Sequence, residues 1–269
     1  MKSKRLIVIL SVLVFLTVLI VINSTLFTLQ SVSINWLTTK HQLESIKDYQ
    51  IVENVEKGQN IFLVQKDDIA SKLEKDFPYI RVISIETKFP NKLVVHSAER
   101  ESLYAIKISD REYAIIDERG KVLSLSNGSI FEGSEGNLGT RPIVVEFQSL
   151  SINVADFVVG ESVKSSYIQT LLSNMSRSLR ESRYTPTTSK GVIRHIDIVS
   201  QGETTEVNIK TRSGTILTIF DFEEHTTDKL LLAFERYNYF HSQGDVDCTI
   251  EVWFSLDLNS VVANVVWNL

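Results

Sequence analysis

The sequence predicts an α+β protein in three parts: an apolar N-terminal transmembrane helix, a small unit ordered strand, helix, helix, strand, strand, and a larger, mostly antiparallel β domain with flanking helices. Three observations carry that expectation. Residues 6–22 are apolar throughout except for Ser11 and Thr17. Residues 27–98 alternate between period-two and helical apolar spacing in that order of elements. Beyond Arg100 the texture changes to short alternating runs separated by turn residues, interrupted by two helical faces.

The apolar run reaches roughly 26 Å at about 1.5 Å rise per residue, the short end of what crosses a bilayer. Lys2, Lys4 and Arg5 in front of it favour a cytoplasmic N-terminus. Residues 1–5 are therefore read as a cytoplasmic tail, 6–22 as the membrane helix, and the other 247 residues as extracytoplasmic. A cleaved secretory signal is the alternative. Its core is shorter, roughly 7–15 residues, and ends in an Ala-x-Ala-like site. Asn23-Ser24-Thr25-Leu26-Phe27 has no such pattern, so a retained anchor is expected.

The elements follow in order. Residues 27–35 alternate as a half-buried strand. Thr38-Thr39 can cap a short helix carrying Leu43 and Ile46, and Gly58-Gln59-Asn60 then punctuates before the apolar plug Ile61-Phe62-Leu63-Val64. Asp67 and Asp68 suit a helix N-terminus, and Ile69, Leu73 and Phe77 run along its apolar side until Pro78 stops it. Strands over 80–88 and 92–98 are joined by Phe89-Pro90-Asn91. Ile61, Phe62, Leu73, Phe77 and Val82 are expected to share one buried face. Strands are then expected near 103–108, 112–116, 121–125 and 143–147, with Gly120 supplying a positive-φ turn. Residues 127–141 are read as a loop. A helix over 161–181, strands over 192–199, 206–210 and 215–220, a helix capped by Thr226 or Thr227, and strands over 249–256 and 261–267 complete the chain. The resulting boundaries are 27–98 for the small domain, 99–258 for the β domain, and 259–269 for a C-terminal strand or tail.

Composition narrows the function classes. Setting aside the three N-terminal basic residues leaves 25 Lys+Arg against 33 Asp+Glu, near −8, a poor match for nucleic acid or anionic lipid. One cysteine, Cys248, rules out an internal disulfide framework, and its strand-like setting suits a small buried residue better than a nucleophile. Asn127-Gly128-Ser129 and Asn174-Met175-Ser176 match a glycosylation pattern short enough to recur by chance.

Catalytic and metal-binding sets are weak. His41, His96, His195, His225 and His241 are scattered, without His-Glu-x-x-His or a Cys pair. Glu223-Glu224-His225 and His195-x-Asp197 are ordinary surface pairs before they are acid–base pairs. Gly133-x-x-Gly136-x-x-Gly139 lacks the spacing of a nucleotide loop, and no Gly-x-Ser-x-Gly elbow occurs. No catalytic residue, metal or cofactor is expected. Aromatic residues carry more information: Tyr237, Tyr239, Phe240, Trp253, Phe254 and Trp267 crowd the C-terminal segment. Core packing accounts for most of them. A terminal sheet edge, however, offers unpaired N–H and C=O groups to a partner strand.

Seven motifs in register resemble a known family. They are the basic start and anchor leading into Phe27-Thr28-Leu29-Gln30-Ser31-Val32-Ser33-Ile34, then Lys57-Gly58-Gln59-Asn60-Ile61-Phe62, Phe77-Pro78-Tyr79-Ile80, Phe89-Pro90-Asn91-Lys92-Leu93, Glu99-Arg100-Glu101, and residues 113–123. Over residues 1–123 the chain resembles the bacterial cell-division family FtsQ/DivIB. The resemblance implies a POTRA domain, then the family's β domain, and a non-enzymatic divisome scaffold in the cell membrane at the septum that helps coordinate septal peptidoglycan synthesis. It also implies coiled-coil partners of the FtsB/DivIC and FtsL type, among other division proteins, with no nucleic acid and no small-molecule substrate. Residues 250–254 resemble the family's last core strand, with Trp253 where relatives usually carry Arg. A POTRA-type transport or assembly component is the first alternative, but the region after Ala98 is too short and too helical for its barrel. An anchored cell-wall hydrolase lacks an assembled nucleophile, base or metal set.

Glu251, Trp253, Phe254 and Ser255 are the candidate partner-binding residues, on a strand read as an exposed edge. With a period of two, Glu251, Trp253 and Ser255 share one face, and Ile250, Val252 and Phe254 the other, core-facing one. The competing place for Trp253 is beneath the second helix, near Tyr237.

Overall fold

The computed structural model describes residues 10–18, 20–21, 26–39, 43–53, 55–128, 141–148, 151–201, 204–244 and 247–267. Residues 10–18 and 20–21 are helical, and their apolar side chains, Leu10, Phe15 and Ile20 among them, are exposed. Among the described residues no helix is long and apolar enough to cross a membrane. Residues 6–9, 19 and 22 of the expected span, and all of the 1–5 tail, lie outside them. The chain divides into two compact units, Met1–Arg100 and Glu101–Leu269.

The first unit is ordered β1 (Ser31–Trp36), α1 (Asp48–Val52), α2 (Lys66–Asp76), β2 (Ile80–Lys88) and β3 (Lys92–Glu99). Strand β3 is central, parallel to β1 and antiparallel to β2. The hairpin turn makes β2 and β3 neighbours, while two helices intervene between β1 and its parallel partner. Leu93 and Val95 of β3 face Ile51, Ile61, Ile69 and Leu73 in one apolar core. Arg100 closes the unit: its guanidinium pairs with Glu74 at 2.7 Å and donates to the Ile80 carbonyl at 3.0 Å.

Two local expectations fail here. The first helix starts at Asp48, while Leu43 and Ile46 lie in the turn before it, closed by the Ile46 N–H on the Leu43 carbonyl. Phe62 is 60% exposed, whereas Ile61 is buried and Phe77 and Val82 are half-buried. The Asn60 side chain accepts from the Phe62 N–H at 3.0 Å, and the Asn60 carbonyl accepts from Leu63. Such an Asx-type turn swings the chain outward just after Ile61.

The second unit is built on a nine-stranded sheet with order β12-β11-β10-β9-β8-β7-β4-β5-β6. These are β4 (Tyr104–Lys107), β5 (Tyr113–Ile116), β6 (Val122–Ser126), β7 (Ile143–Phe147), β8 (Ile193–Gln201), β9 (Thr204–Thr211), β10 (Ile216–Ile219), β11 (Cys248–Ser255) and β12 (Ser260–Trp267). Hairpins give antiparallel neighbours, while β4–β7, β7–β8 and β10–β11 are parallel because each bridges a long intervening segment. Gly120 has φ +81°, as its turn requires. Helices α3 (Ser166–Glu181) and α5 (Thr226–Gln243) pack together, and Ile168, Leu172 and Met175 join Leu230 and Phe234 in the core beneath the sheet. A third helix, α4 (Pro186–Val192), was not anticipated; its signal is Thr185 as N-cap with Pro186 at the first turn. Helix α5 already includes Thr226, so neither Thr226 nor Thr227 is the cap; His225, at φ +51°, takes that position.

The opposite face carries a polar row in register. Glu146, Asp197, Asn208, Thr218, Glu251 and Asn264 succeed one another from β7 to β12, and Lys107 of β4 extends the row through its ion pair with Glu146. The adjacent row, Ile106, Val145, Ile196, Ile209, Leu217 and Ile250, is wholly buried. That alternation is the period-two pattern of a sheet covered on one side only.

Candidate partner-binding edge of the large sheet

Strand β11 is not the edge. It lies between β10, which it pairs in parallel, and β12, which it pairs antiparallel over its whole length. The expectation of an exposed edge at 249–256 is corrected accordingly. The turn at 256–259 reverses the chain, so the final apolar run folds back and covers the outer side of β11. On this side the sheet ends in β12 itself, and β6 ends it on the other.

The side-chain parity of β11 holds. Ile250 and Val252 are fully buried in the core shared with Leu230, Phe234 and Tyr237. Glu251, Trp253 and Ser255 occupy the opposite face and are half-buried. Trp253 therefore faces away from α5, across from Val262, and Glu251 sits across from Asn264. Phe254 departs from the other three candidates: it lies on the helix side and stacks on His225, with ring centroids 4.1 Å apart and planes within 8°. The four residues are contiguous in sequence but divide between two faces.

Strand β12 has the make-up of an edge that accepts a partner. Val261, Ala263 and Val265 pack on the core from its helix-side face, where Trp267 meets Phe240 edge-on at 5.5 Å. Val262 and Val266 lie on the other face with Trp253, and Val266 and Trp267 are exposed. At the hairpin tip Leu256 is 87% exposed and Leu258 68%. The strand carries no Lys or Pro, the usual guards against strand addition. The helix beneath it is held by Lys229 of α5, fully buried, whose ammonium donates to the carbonyls of Phe220 (2.8 Å) and Asp221 (2.7 Å), just beyond β10. Burial lowers its pKa, against the attraction of Asp221, Glu224 and Glu223. This clamp fixes the crossover from β10 to α5, and α5 supports both β11 and β12.

One cluster of potential metal ligands occurs among the described residues: Glu146, His195 and Asp197. His195 Nε2 lies 2.9 Å from Asp197 and 3.8 Å from Glu146. Both carboxylates already hold lysines, Lys107 on Glu146 at 2.7 Å and Lys210 on Asp197 at 2.6 Å, and Gln148 adds a bond to Asp197. Burial raises the Asp197 pKa, but the bonds from Lys210, His195 and Gln148 prevail and leave it lowered. Two ammonium groups compete directly with any cation, so this is an ion-pair network of the open face. His195-x-Asp197 is thus a contact pair, as its one-face spacing suggests, while Glu146 joins it only through the β7–β8 pairing.

The comparisons with known proteins agree with this architecture. A family profile described as "POTRA domain, FtsQ-type" matches residues 38–100. The chain is 29% and 30% identical over 148 residues to two proteins named Cell division protein DivIB, from the Loch Maree and Hall strains of Clostridium botulinum. Each match covers 52% of this chain and 56% of the relative. A DivIB of Clostridium tetani is 35% identical over 82 residues, 30% of each chain. The chain thus spans about half the length of the curated relatives it matches. An FtsQ-type POTRA domain, joined to similarity with several DivIB proteins, supports placing the chain in the FtsQ/DivIB family of bacterial cell-division proteins.

Proposed function

We propose that the chain is a non-enzymatic scaffold of the division machinery, anchored by residues 6–22 with its N-terminus in the cytoplasm, which docks partner ectodomains at the septum and helps coordinate septal peptidoglycan synthesis. Its docking site is the β12 edge, and the partner is an extended segment of a small coiled-coil division protein of the FtsB/DivIC or FtsL type. The observation that carries the reading is an unguarded apolar edge strand ending a nine-stranded sheet. A segment added there would gain main-chain bonds along β12, while Trp253, Val262 and Val266 offer side-chain contacts on the face away from the helices. Residues 27–98 serve as the POTRA module, and residues 99–258 together with the C-terminal strand in 259–269 serve as the docking domain.

The test places proline in turn at Asn264 and Val265 of the full chain, co-expressed with the coiled-coil partners. Successive N–H groups of an edge strand point alternately to the neighbour and outward, so one substitution removes a bond to β11 and the other a donor of the free edge. The outward variant should lose co-purification while keeping its melting temperature. Retained binding in both variants would overturn the docking assignment.

A further inference from the structure

An aromatic patch on the first unit is untouched by the docking reading. Phe27, Phe62 and Phe89 come from three separate parts of the chain and form a row of rings, with centroids 5.2 Å and 5.4 Å apart. Phe62 is 60% exposed, Phe89 63%, and the neighbouring Leu63 74%. The backbone holds the three parts together. The Ile61 N–H donates to the Phe27 carbonyl at 2.8 Å, the Leu29 N–H to Gln59 at 2.8 Å, and the Gln30 N–H to Asn91 at 2.9 Å. The rings therefore stand on a fixed platform. Soluble surfaces rarely present contiguous exposed rings without a partner.

Chain connectivity indicates what covers them. Phe27 lies five residues beyond Ile22, the last residue of the apolar run, so at full extension its Cα is at most about 18 Å from that point. The headgroup layer on each side of a bilayer is roughly 5–8 Å deep. Tethering thus confines Phe27, and with it Phe62 and Phe89, to the neighbourhood of the membrane surface. Rings and aliphatic side chains partition favourably into that layer, and cations beside them meet anionic headgroups. Lys88 and Lys92 border the Phe89 turn, Lys88 at 2.6 Å from Glu86.

We propose that the Phe27–Phe62–Phe89 patch dips into the phospholipid headgroup layer and fixes the orientation of the first unit against the membrane. The inference rests on the anchor assigned to residues 6–22. Leu63→Cys, beside the rings, and Ile83→Cys, an exposed position six residues along β2 from Phe89, are each labelled with a fluorophore. Cys248 is buried and stays unlabelled in the folded chain. The full chain is reconstituted in vesicles of mixed zwitterionic and anionic phospholipids doped with a headgroup-level nitroxide lipid. Quenching should be several-fold stronger at position 63 than at 83. Adding Phe62→Ser and Phe89→Ser should bring position 63 down to the level of 83 with an unchanged circular-dichroism melt. Equal quenching at both positions, in chains that resist alkaline carbonate extraction, overturns the patch assignment while leaving the anchor intact. Chains released by carbonate refute the anchor, and the lipid assignment falls with it. A difference that arises only when division partners are added assigns the patch to a protein and likewise overturns it.

Discussion

Replacing Lys229 with Met should destabilise the second unit by about 2–4 kcal/mol. Lys229 is fully buried, and its ammonium is the donor to two main-chain carbonyls, at 2.8 and 2.7 Å, just before α5. Methionine fills nearly the same volume as the lysine stem, so little cavity opens and the lost bonds dominate. A carbonyl buried and left without its partner costs about 1–3 kcal/mol, and each of these two, at part-buried bonds, falls toward the lower end of that range. Part is recovered because a desolvated charge disappears, the effect that lowers the Lys229 pKa. For a unit of 169 residues (101–269), about 2–4 °C per kcal/mol applies, which gives a fall in melting temperature of about 4–16 °C. Calorimetry of the full chain measures the shift. Hydrogen exchange in peptides covering 219–231 assigns it to the β10–α5 crossover. A shift below about 1 °C would show that the carbonyls find other partners and that the clamp does not hold α5.

Phe62→Ala should cost only about 1 kcal/mol, since most of the ring is already in water, whereas Leu73→Ala should cost about 2–5 kcal/mol; equal losses in chemical denaturation would contradict the outward turn at Asn60. Trp253→Ala should weaken co-purification of the coiled-coil partners with little change in melting temperature, and lost stability with retained binding would return Trp253 to a packing role. Asp197 has a lowered folded-state pKa, so the stability it contributes is present above its ordinary value of 3.8 and is lost as pH falls through the lower folded value. Asp197→Asn should therefore flatten the acid limb of the stability profile below about pH 4, and an unchanged limb would show that the Lys210 and His195 contacts contribute nothing net.

Much of the fold was legible in the chain because it rests on local rules. Alternation marked β2, β7 and β11 to within a residue or two, Pro78 stopped α2, and Gly120 took its turn, since each depends on neighbours a few residues away. Parity along β11 was readable for the same reason: period two sends Ile250 and Val252 inward whatever their partners are. The expected α+β class and the order strand, helix, helix, strand, strand follow from such signals. Pairing is a different kind of fact. That β12 and not β11 ends the sheet depends on where the terminal hairpin lies against β10, a contact between segments some thirty residues apart. The meeting of Glu146 with His195 and Asp197 needs the parallel β7–β8 register, which spacing cannot disclose. Phe62 shows the same limit on a small scale. Its apolar context argued for burial, but the Asn60 side chain turned the backbone and left the ring beside Phe27 and Phe89. Sequence by itself determined most of the elements and the face each strand buries, because propensity and period act over a few residues. Only the tertiary structure decided which strand is the edge and which apolar side chains stay in solvent, because both depend on partners brought together by the fold.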